Sequence, residues 1–279
     1  MYIPDSYLER LIADDVPSID LTTHVLGIGE VPGRIEYFSR NEAVLCGTEE
    51  AARIYRKLGC DPIDFLPTGS HIEAGTTFMH VEGPASGLHM GWKCCLNIFE
   101  YYSALATKAH KMVARVHAVN PSCEVLTTRK TMPGTKLLDT KAVMAGGAFP
   151  HRLGLSETVL VFGHHLTFYG GMDQFVRDVP EIKRRLCEKK LFVEAGAEDA
   201  ARLVAAGVDG IQLDKVPVDE VASVVGELRA LDSHVTIVAA GGINLENCAS
   251  YAATGVDGLA TTCLHFAKPL DMSVRMRRG

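Results

Sequence analysis

Two stretches in the second half of the chain decide the fold: 191-LFVEAGAEDAARLVAAGVDGIQLD-214 and 235-VTIVAAGGINLENCASYAATGVDGLATT-262. Each contains an apolar segment of strand length, a glycine turn, an amphipathic helical pattern, a glycine stop and the tripeptide Val-Asp-Gly before a further apolar segment. Units of this kind form right-handed crossovers between parallel strands. Several in succession close into a β/α barrel. A flat, doubly wound sheet is the competing architecture.

The first part of the chain has a different pattern. Its first ~100 residues mix strand and helix signals without regular alternation, which indicates an α+β domain. There, 48-TEEAARIYRKLG-59 predicts a helix with Thr48 as its N-cap and Gly59 as its stop. A chain of 279 residues suits one barrel and one smaller domain. We therefore predict an N-terminal α+β domain over residues 1–107, a barrel over 108–265, and a tail, 266–279, that packs with the first domain.

Composition excludes several classes of protein. The formal net charge of -6 argues against a general nucleic-acid binder. We find no apolar run of roughly 18 or more residues, so no membrane insertion is expected. The charged N-terminal stretch MYIPDSYLERLIADD lacks the apolar core of a signal peptide. The eight cysteines contain no C-x-x-C, which favours reduced thiols and a cytoplasmic protein.

Charged and small residues follow the predicted barrel strands, at the end where β/α barrels carry their chemistry. They are Thr128, Arg129 and Lys130 after CEVLT, His151 and Arg152 in the turn GGAFPHRLGL, Glu194 after LFV, Asp214 after GIQL, and Ala240, Gly241 and Gly242 after VTIVA. Taken singly, each has an ordinary structural explanation: a turn, a surface charge, an ion pair or a hydrogen bond. Their coincidence at successive strand ends favours one shared site.

The residue types indicate a polyanion and a magnesium ion. Gly241-Gly242 before a helix lets a phosphate approach backbone N–H groups, with Asn244 as a candidate cap. Arginine and lysine neutralise phosphate or carboxylate charge. Glu194 and Asp214, on different strands, suit Mg²⁺ beside substrate phosphates. The pair His164-His165 lacks a third ligand at zinc spacing, and we assign it a structural role.

These segments resemble a known family. The stretch 127-TTRKTMPGTKLLDTKAVMAGGAFPHRLGL-155 is similar to the signature of the type II phosphoribosyltransferases, typified by quinolinate phosphoribosyltransferase. FVEA, IQLD and AAGGINLENCASYAATGVDG are similar to its later strand ends, and IDLTTHVL and LNIFEYYSALAT to its N-terminal half. The resemblance covers nearly the whole chain, and the Arg-Lys-x-x-Pro-Gly segment with its downstream His-Arg is specific.

The resemblance implies an α+β sandwich domain, an incomplete seven-stranded β/α (TIM-like) barrel and a homodimer in which one subunit's N-terminal domain covers the other's barrel mouth. It also implies phosphoribosyl pyrophosphate and Mg²⁺ as ligands. By position it assigns Lys130, Glu194 and Asp214 to catalysis, with Glu194 and Asp214 also on the metal. It assigns acceptor binding to Arg129, His151 and Arg152, and 5′-phosphate binding to Gly241, Gly242, Thr261, Thr262 and Cys263. Thr128 and Ala240 are further predicted substrate-binding residues.

Two positions depart from the quinolinate enzymes. Lys93, in WKCCLN, stands where they have an arginine that reaches the neighbouring subunit's site. Phe162, in LVFGHH, stands where they have a lysine. Without that lysine a dianionic acceptor is poorly paired, at a loss of order 1–3 kcal/mol or more. An aromatic ring there favours a flatter, less charged acceptor. These departures resemble the ModD branch of the family, which is named for its association with molybdate transport genes.

The strand-end residues and the resemblance together indicate an enzyme that transfers ribose 5-phosphate from phosphoribosyl pyrophosphate to a ring nitrogen and releases pyrophosphate. Three alternatives stay open. The first is the quinolinate reaction of NAD biosynthesis, with Lys93 in place of arginine. The second is a non-catalytic sensor of phosphoribosyl pyrophosphate or an oxyanion. An aldolase-type barrel using Lys215 is disfavoured, because successive residues of a strand point to opposite faces and Lys215 should point away from Asp214.

Overall fold

The computed structural model describes residues 1–279. Two compact units are distinguished by their internal contacts. The sheet unit comprises Met1–His110, Thr131–Gly147 and His265–Gly279. The barrel unit comprises Lys111–Lys130 and Ala148–Leu264. No helix of the chain has both the length and the apolar character that crossing a membrane requires.

The secondary structure consists of ten α-helices, thirteen strands and one 3-10 helix, Cys263–Phe266. The helices are α1 (Asp5–Asp15), α2 (Leu21–Leu26), α3 (Thr48–Lys57), α4 (Ala85–His117), α5 (Lys136–Ala145), α6 (Gly163–Tyr169), α7 (Met172–Arg184), α8 (Ala197–Ala206), α9 (Val218–Leu231) and α10 (Cys248–Ala252). The strands are β1 (Pro32–Ser39), β2 (Ala43–Val44), β3 (Asp61–Phe65), β4 (His71–Ile72), β5 (Thr77–Pro84), β6 (Glu124–Thr127), β7 (Phe149–Pro150), β8 (Val159–Val161), β9 (Leu191–Ala195), β10 (Gly210–Asp214), β11 (Thr236–Ala240), β12 (Gly258–Thr261) and β13 (Met272–Arg278).

The sheet unit is built on an antiparallel sheet with the order β13-β1-β5-β3. Its first strand buries alternate side chains, as a strand with one face on a core does. Tyr37 lies at the centre of this core, with its ring edge-on to Phe99 at 5.0 Å and its hydroxyl 2.6 Å from that of Tyr55. Helix α3 begins after Gly47, which takes the N-cap position that the sequence assigned to Thr48. The C-terminal strand pairs with β1 along its length.

The barrel unit contains seven parallel strands in the order β7-β6-β12-β11-β10-β9-β8. From β8 to β12 the strands follow one another as they do in the chain, and β12 then pairs with β6, the first strand of the unit. This is the cyclic order of a barrel, interrupted between β7 and β8. A doubly wound sheet would reverse its order at a switch point. The incomplete seven-stranded β/α barrel predicted from the sequence is therefore confirmed.

The repeated Val-Asp-Gly tripeptide has a structural reason. Asp257 accepts a hydrogen bond from the backbone N–H of Ile237 at 2.6 Å and two from Nη2 of Arg229 at 2.6 and 2.7 Å. Asp209 accepts one from the N–H of Leu191 at 2.7 Å and pairs with Lys183. In both copies the aspartate therefore holds the start of the preceding strand to a cation on a helix.

Small and large side chains alternate inside the barrel. Leu160, Phe192, Val238, Ala240 and Ala260 form the buried cluster. A Cβ atom on Gly210, in the adjacent strand, would lie 2.3 Å from the Phe192 ring. The ring thus takes the space that a side chain on the neighbouring strand would otherwise use, as packing of alternate layers in a β/α barrel requires.

Candidate active site

The ends of β6 and β12 are joined by threonines. The Thr128 N–H donates to the Thr261 carbonyl at 3.1 Å, and the hydroxyls of Thr128 and Thr262 are 2.9 Å apart. The Lys130 N–H is 3.4 Å from the Thr128 hydroxyl. Arg129 and Lys130 follow directly, and both are exposed. The chain therefore leaves the sheet at a fixed point and presents two cations there.

Arg129 lies with a second arginine and a histidine. Arg152 follows β7, and burial lowers its pKa, as does the neighbouring charge of Arg129. Burial also lowers the pKa of His151 below 6.5, with a further contribution from Arg152. The His151 ring packs edge-on against Phe192 at 6.2 Å between centroids. The two guanidinium groups repel one another, and an anion between them would relieve that repulsion. The neutral imidazole beside them could hydrogen-bond a polar heterocycle.

Phe162 belongs to the same group of side chains. The Arg152 guanidinium carbon lies 5.8 Å from the centroid of its ring, and the Arg152 Nη1 lies 3.4 Å from the Thr158 carbonyl. The other neighbour of the ring is His165, whose own ring stacks on it at 5.8 Å. Phe162 is half-buried and packs against the apolar interior of the barrel. The residue after β8 thus provides a flat apolar surface beside the arginine.

The two carboxylates lie on neighbouring strands, with two lysines near them. Burial raises the pKa of Glu194, and the negative charge of Asp214 raises it further. A hydrogen bond from Gln212 Nε2 at 2.6 Å, and the charges of Lys215 and Lys130, act in the opposite direction. We refer to Lys130 and Lys215, whose charges lower the pKa of Glu194, as the ammonium group, and to Arg129 and Arg152 as the guanidinium group.

The expectation that Lys215 points away from Asp214 is wrong. Lys215 is the one non-glycine residue of the chain with a positive φ, 58°. This left-handed conformation ends the alternation of the strand and brings Lys215 Nζ to 3.3 Å from Asp214 Oδ2. It costs about 1–2 kcal/mol for a residue with a Cβ atom. An exposed ion pair contributes about 0–1 kcal/mol, so the pair does not account for the strain.

Gly241 and Gly242 both have positive φ, 90° and 74°. A Cβ atom on Gly241 would lie 2.8 Å from the backbone nitrogen of Lys215, whereas one on Gly242 would meet nothing within 4 Å. The predicted helix directly after this pair is wrong, because α10 begins only at Cys248 and has five residues. Asn244 instead accepts hydrogen bonds from the N–H groups of residues 246 and 247, at 2.9 and 3.2 Å. The glycines thus open a side-chain-stabilised turn.

The end of β12 is hydrogen-bonded to the turn that begins at Gly241. The buried Thr261 hydroxyl donates to the Ile243 carbonyl at 2.7 Å and accepts from the Cys263 N–H at 3.0 Å. Ala240, the last residue of β11, is buried and accepts a hydrogen bond from the Lys215 N–H at 2.9 Å. Thr261 and Ala240 therefore position the backbone around Gly241 rather than presenting a polar side chain.

Lys93 lies on α4 in the sheet unit and is exposed. Its Nζ atom is 5.1 Å from the centroid of the Trp92 ring, a cation–π contact.

His164 and His165 lie in α6, and His165 Nδ1 accepts a hydrogen bond from the Phe162 N–H at 2.9 Å. No group of three or more histidine, cysteine or carboxylate side chains converges as metal ligands.

Two functional candidates, Gln212 and Phe192, escaped sequence reasoning, and Lys215 was considered only as the lysine of a disfavoured aldolase-type barrel. Gln212 had a usable signal, because a glutamine inside an otherwise apolar strand needs a buried hydrogen-bond partner. Phe192 did not, since an aromatic residue in an apolar strand predicts core packing alone. The position of Lys215 depends on a left-handed backbone angle that no residue type in IQLDK indicates.

Comparison with known proteins covers the whole chain. The model of the quinolinate phosphoribosyl transferase C-terminal domain matches residues 105–275, and that of the N-terminal domain matches residues 20–103. A Rhodobacter capsulatus protein named "Putative pyrophosphorylase ModD" is 38% identical over 248 residues, 88% of this chain and 95% of that protein. The nicotinate-nucleotide pyrophosphorylase [carboxylating] of Homo sapiens is 29% identical over 96% of this chain and 90% of its own. The structure of the nicotinate-nucleotide pyrophosphorylase from Francisella tularensis superposes with a TM-score of 0.89 at 24% identity, covering 99% and 98% of the two chains.

Proposed function

The chain belongs to the quinolinate phosphoribosyltransferase family, and we propose that it transfers ribose 5-phosphate from phosphoribosyl pyrophosphate to a nitrogen heterocycle in the manner of the ModD pyrophosphorylases. The observation that carries the proposal is the presence of charged side chains of both signs at the C-terminal ends of the parallel barrel strands. The charges of Lys130 and Lys215 lower the pKa of Glu194, and the charge of Arg129 lowers the pKa of Arg152. Lysines beside two carboxylates, and arginines beside a histidine, suit two different substrates.

The ammonium group is assigned to phosphoribosyl pyrophosphate. The bond from the anomeric carbon to the pyrophosphate oxygen breaks as the bond to the acceptor nitrogen forms, and the pyrophosphate leaves with the electron pair. Lys130 would stabilise the charge that develops on this leaving group. The carboxylates of Glu194 and Asp214 would favour the positive, oxocarbenium-like character that the ribose ring develops while one bond breaks and the other forms. The open space at the Cβ position of Gly242 would leave room for the 5′-phosphate against the backbone.

A magnesium ion suits this site. Asp214 raises the pKa of Glu194, so the two carboxylates repel one another, and a cation between them would relieve that repulsion. Mg²⁺ is commonly held by one or two carboxylates together with substrate phosphates, so a third protein ligand is not needed. Bound there, it would supply charge neutralisation for the leaving pyrophosphate.

The guanidinium group is assigned to the acceptor. Arg129 and Arg152 would bind an anionic substituent, and the Phe162 ring would stack on the heterocycle. His151, whose pKa is lowered, would be neutral at pH 7 and available as a hydrogen-bond partner to the ring. A ring surface at position 162 in place of a cation favours an acceptor with less negative charge than quinolinate.

Quinolinate itself is a second candidate acceptor, because two guanidinium groups near one another suit a dicarboxylate. In that case release of carbon dioxide would accompany transfer.

We further propose that the enzyme is a cytoplasmic homodimer in which Lys93 of one subunit reaches the site of the other. Its exposed position on α4 leaves the ammonium available for such a contact.

Pyrophosphate release from phosphoribosyl pyrophosphate, measured against a panel of nitrogen heterocycles, tests the proposal. At least one heterocycle should support release at a rate typical of enzymes, ~1 s⁻¹ or above. Lys130→Ala should lose at least about a hundredfold of that rate. Lys189→Ala is the matched control, because Lys189 is exposed and precedes β9, at the opposite end of that strand from Glu194. Binding of phosphoribosyl pyrophosphate without turnover of any heterocycle would identify a sensor instead.

A further inference from the structure

Lys215 is held in place by its surroundings. Its N–H donates to the Ala240 carbonyl at 2.9 Å, so the residue after β10 is fixed to the end of β11. A Cβ atom on Gly241 would lie 2.6 Å from Lys215 Cγ and 2.8 Å from its backbone nitrogen. The left-handed conformation thus depends on a glycine at the neighbouring strand end, and strained residues persist only where the structure over-determines them.

The left-handed conformation of Lys215 places its ammonium beside the carboxylate of Asp214. The Lys215 side chain is 80% exposed, yet its Nζ lies 3.3 Å from Asp214 Oδ2. In a regular strand these two side chains would point to opposite faces. The ammonium instead lies beside the carboxylate at the mouth of the barrel. The backbone contacts to Ala240 and Gly241 hold this conformation, and the exposed ion pair alone is too weak to offset its strain.

Building on the proposed function, we propose that Lys215 is a substrate-binding residue whose ammonium contacts the pyrophosphate group of phosphoribosyl pyrophosphate beside Asp214, in addition to Lys130. A diphosphate is the ligand that this placement suits, because its oxygens could contact an exposed ammonium at the strand end where Asp214 lies. That strand pairs directly with β9, which carries Glu194. A long, exposed lysine can exchange a carboxylate for a phosphate oxygen without a change in the backbone.

Lys215→Gly separates binding from stability. Glycine adopts positive φ without penalty, so this variant should unfold at the same temperature as the wild type or a higher one. Its affinity for inorganic pyrophosphate, measured by isothermal titration calorimetry with Mg²⁺ present, should fall about tenfold or more, the loss expected for a charge-assisted contact. Lys215→Arg, which keeps the charge, should recover most of the affinity. Lys189→Ala should bind as the wild type does.

The outcomes distinguish the two proposals. If Lys130→Ala weakens pyrophosphate binding and Lys215→Gly does not, the inference about Lys215 is overturned and the proposed function stands. If the wild type binds neither pyrophosphate nor phosphoribosyl pyrophosphate, both are overturned. Weaker binding in Lys215→Gly, at an unchanged unfolding temperature and with recovery in Lys215→Arg, supports the inference.

Discussion

Substitution of Gly241 by alanine should damage both the stability and the activity of the protein. A Cβ atom there would lie 2.6 Å from Lys215 Cγ, 2.8 Å from the Lys215 nitrogen and 3.0 Å from Asp214 Oδ1. The Cγ atom can move by rotation, but the nitrogen is backbone and is hydrogen-bonded to Ala240. The strand end must therefore shift, and Asp214 must shift with it.

The expected loss of unfolding free energy in Gly241→Ala is the sum of two contributions. Alanine at a φ of 90° costs about 1–2 kcal/mol in backbone strain. Insertion of a methyl group into a filled space costs about 1–3 kcal/mol more. Gly242→Ala is the matched control, because its φ of 74° is also positive but its Cβ atom would meet nothing within 4 Å. It should show only the backbone strain.

Urea unfolding followed by circular dichroism gives the stability of each variant, and pyrophosphate release gives the activity. Gly241→Ala should be less stable than Gly242→Ala by about 1–3 kcal/mol. It should also lose more activity, because Asp214 moves. Equal stability of the two variants would refute the close approach of Gly241 to Lys215, and with it the account of how this end of the barrel is held.

Three further predictions concern separate parts of the barrel unit. Asp257→Ala removes the acceptor of the Ile237 N–H and should lower the free energy of unfolding by about 2–3 kcal/mol in urea titrations, whereas the exposed Glu188→Ala should be nearly neutral. Phe162→Lys should raise kcat/KM for quinolinate about tenfold. Phe168→Lys, at a residue that is 94% exposed, is the control and should not change it. A lower kcat/KM for quinolinate in Phe162→Lys would contradict the acceptor assignment. The pKa of His151 is lowered in the folded protein, so the unfolded chain binds more protons as the pH falls through 6.5. Its contribution to stability is therefore complete above pH 6.5 and is lost below it, and His151→Gln should flatten this dependence in unfolding experiments between about pH 5 and pH 8.

The repeat in the sequence predicted parallel βα units and favoured a barrel over a doubly wound sheet. Val-Asp-Gly at Val208–Gly210 and at Val256–Gly258 marks the start of a strand because the aspartate holds the preceding strand to a helix. The number of strands came from the family resemblance, since β7 has two residues and gives no usable pattern. Periodicity becomes informative only over longer segments.

The site was predicted to the level of residues near strand ends, and its finer arrangement was not. The family resemblance assigned Lys130 and Arg129 to different substrates, and that assignment stays a prediction. The alternation expected of a strand failed for Lys215, where the backbone turns left-handed. The helix expected after Gly242 failed as well, because asparagine side chains stabilise a turn there before α10 begins.

One end of the barrel is proposed to bind phosphoribosyl pyrophosphate and a nitrogen heterocycle together. Mass spectrometry of the reaction mixture, with pyrophosphate quantified in the same sample, tests this proposal. One ribosylated heterocycle should form for each pyrophosphate released, and no pyrophosphate should be released without an acceptor. Pyrophosphate released without a ribosylated product, or no release with any heterocycle, would contradict it.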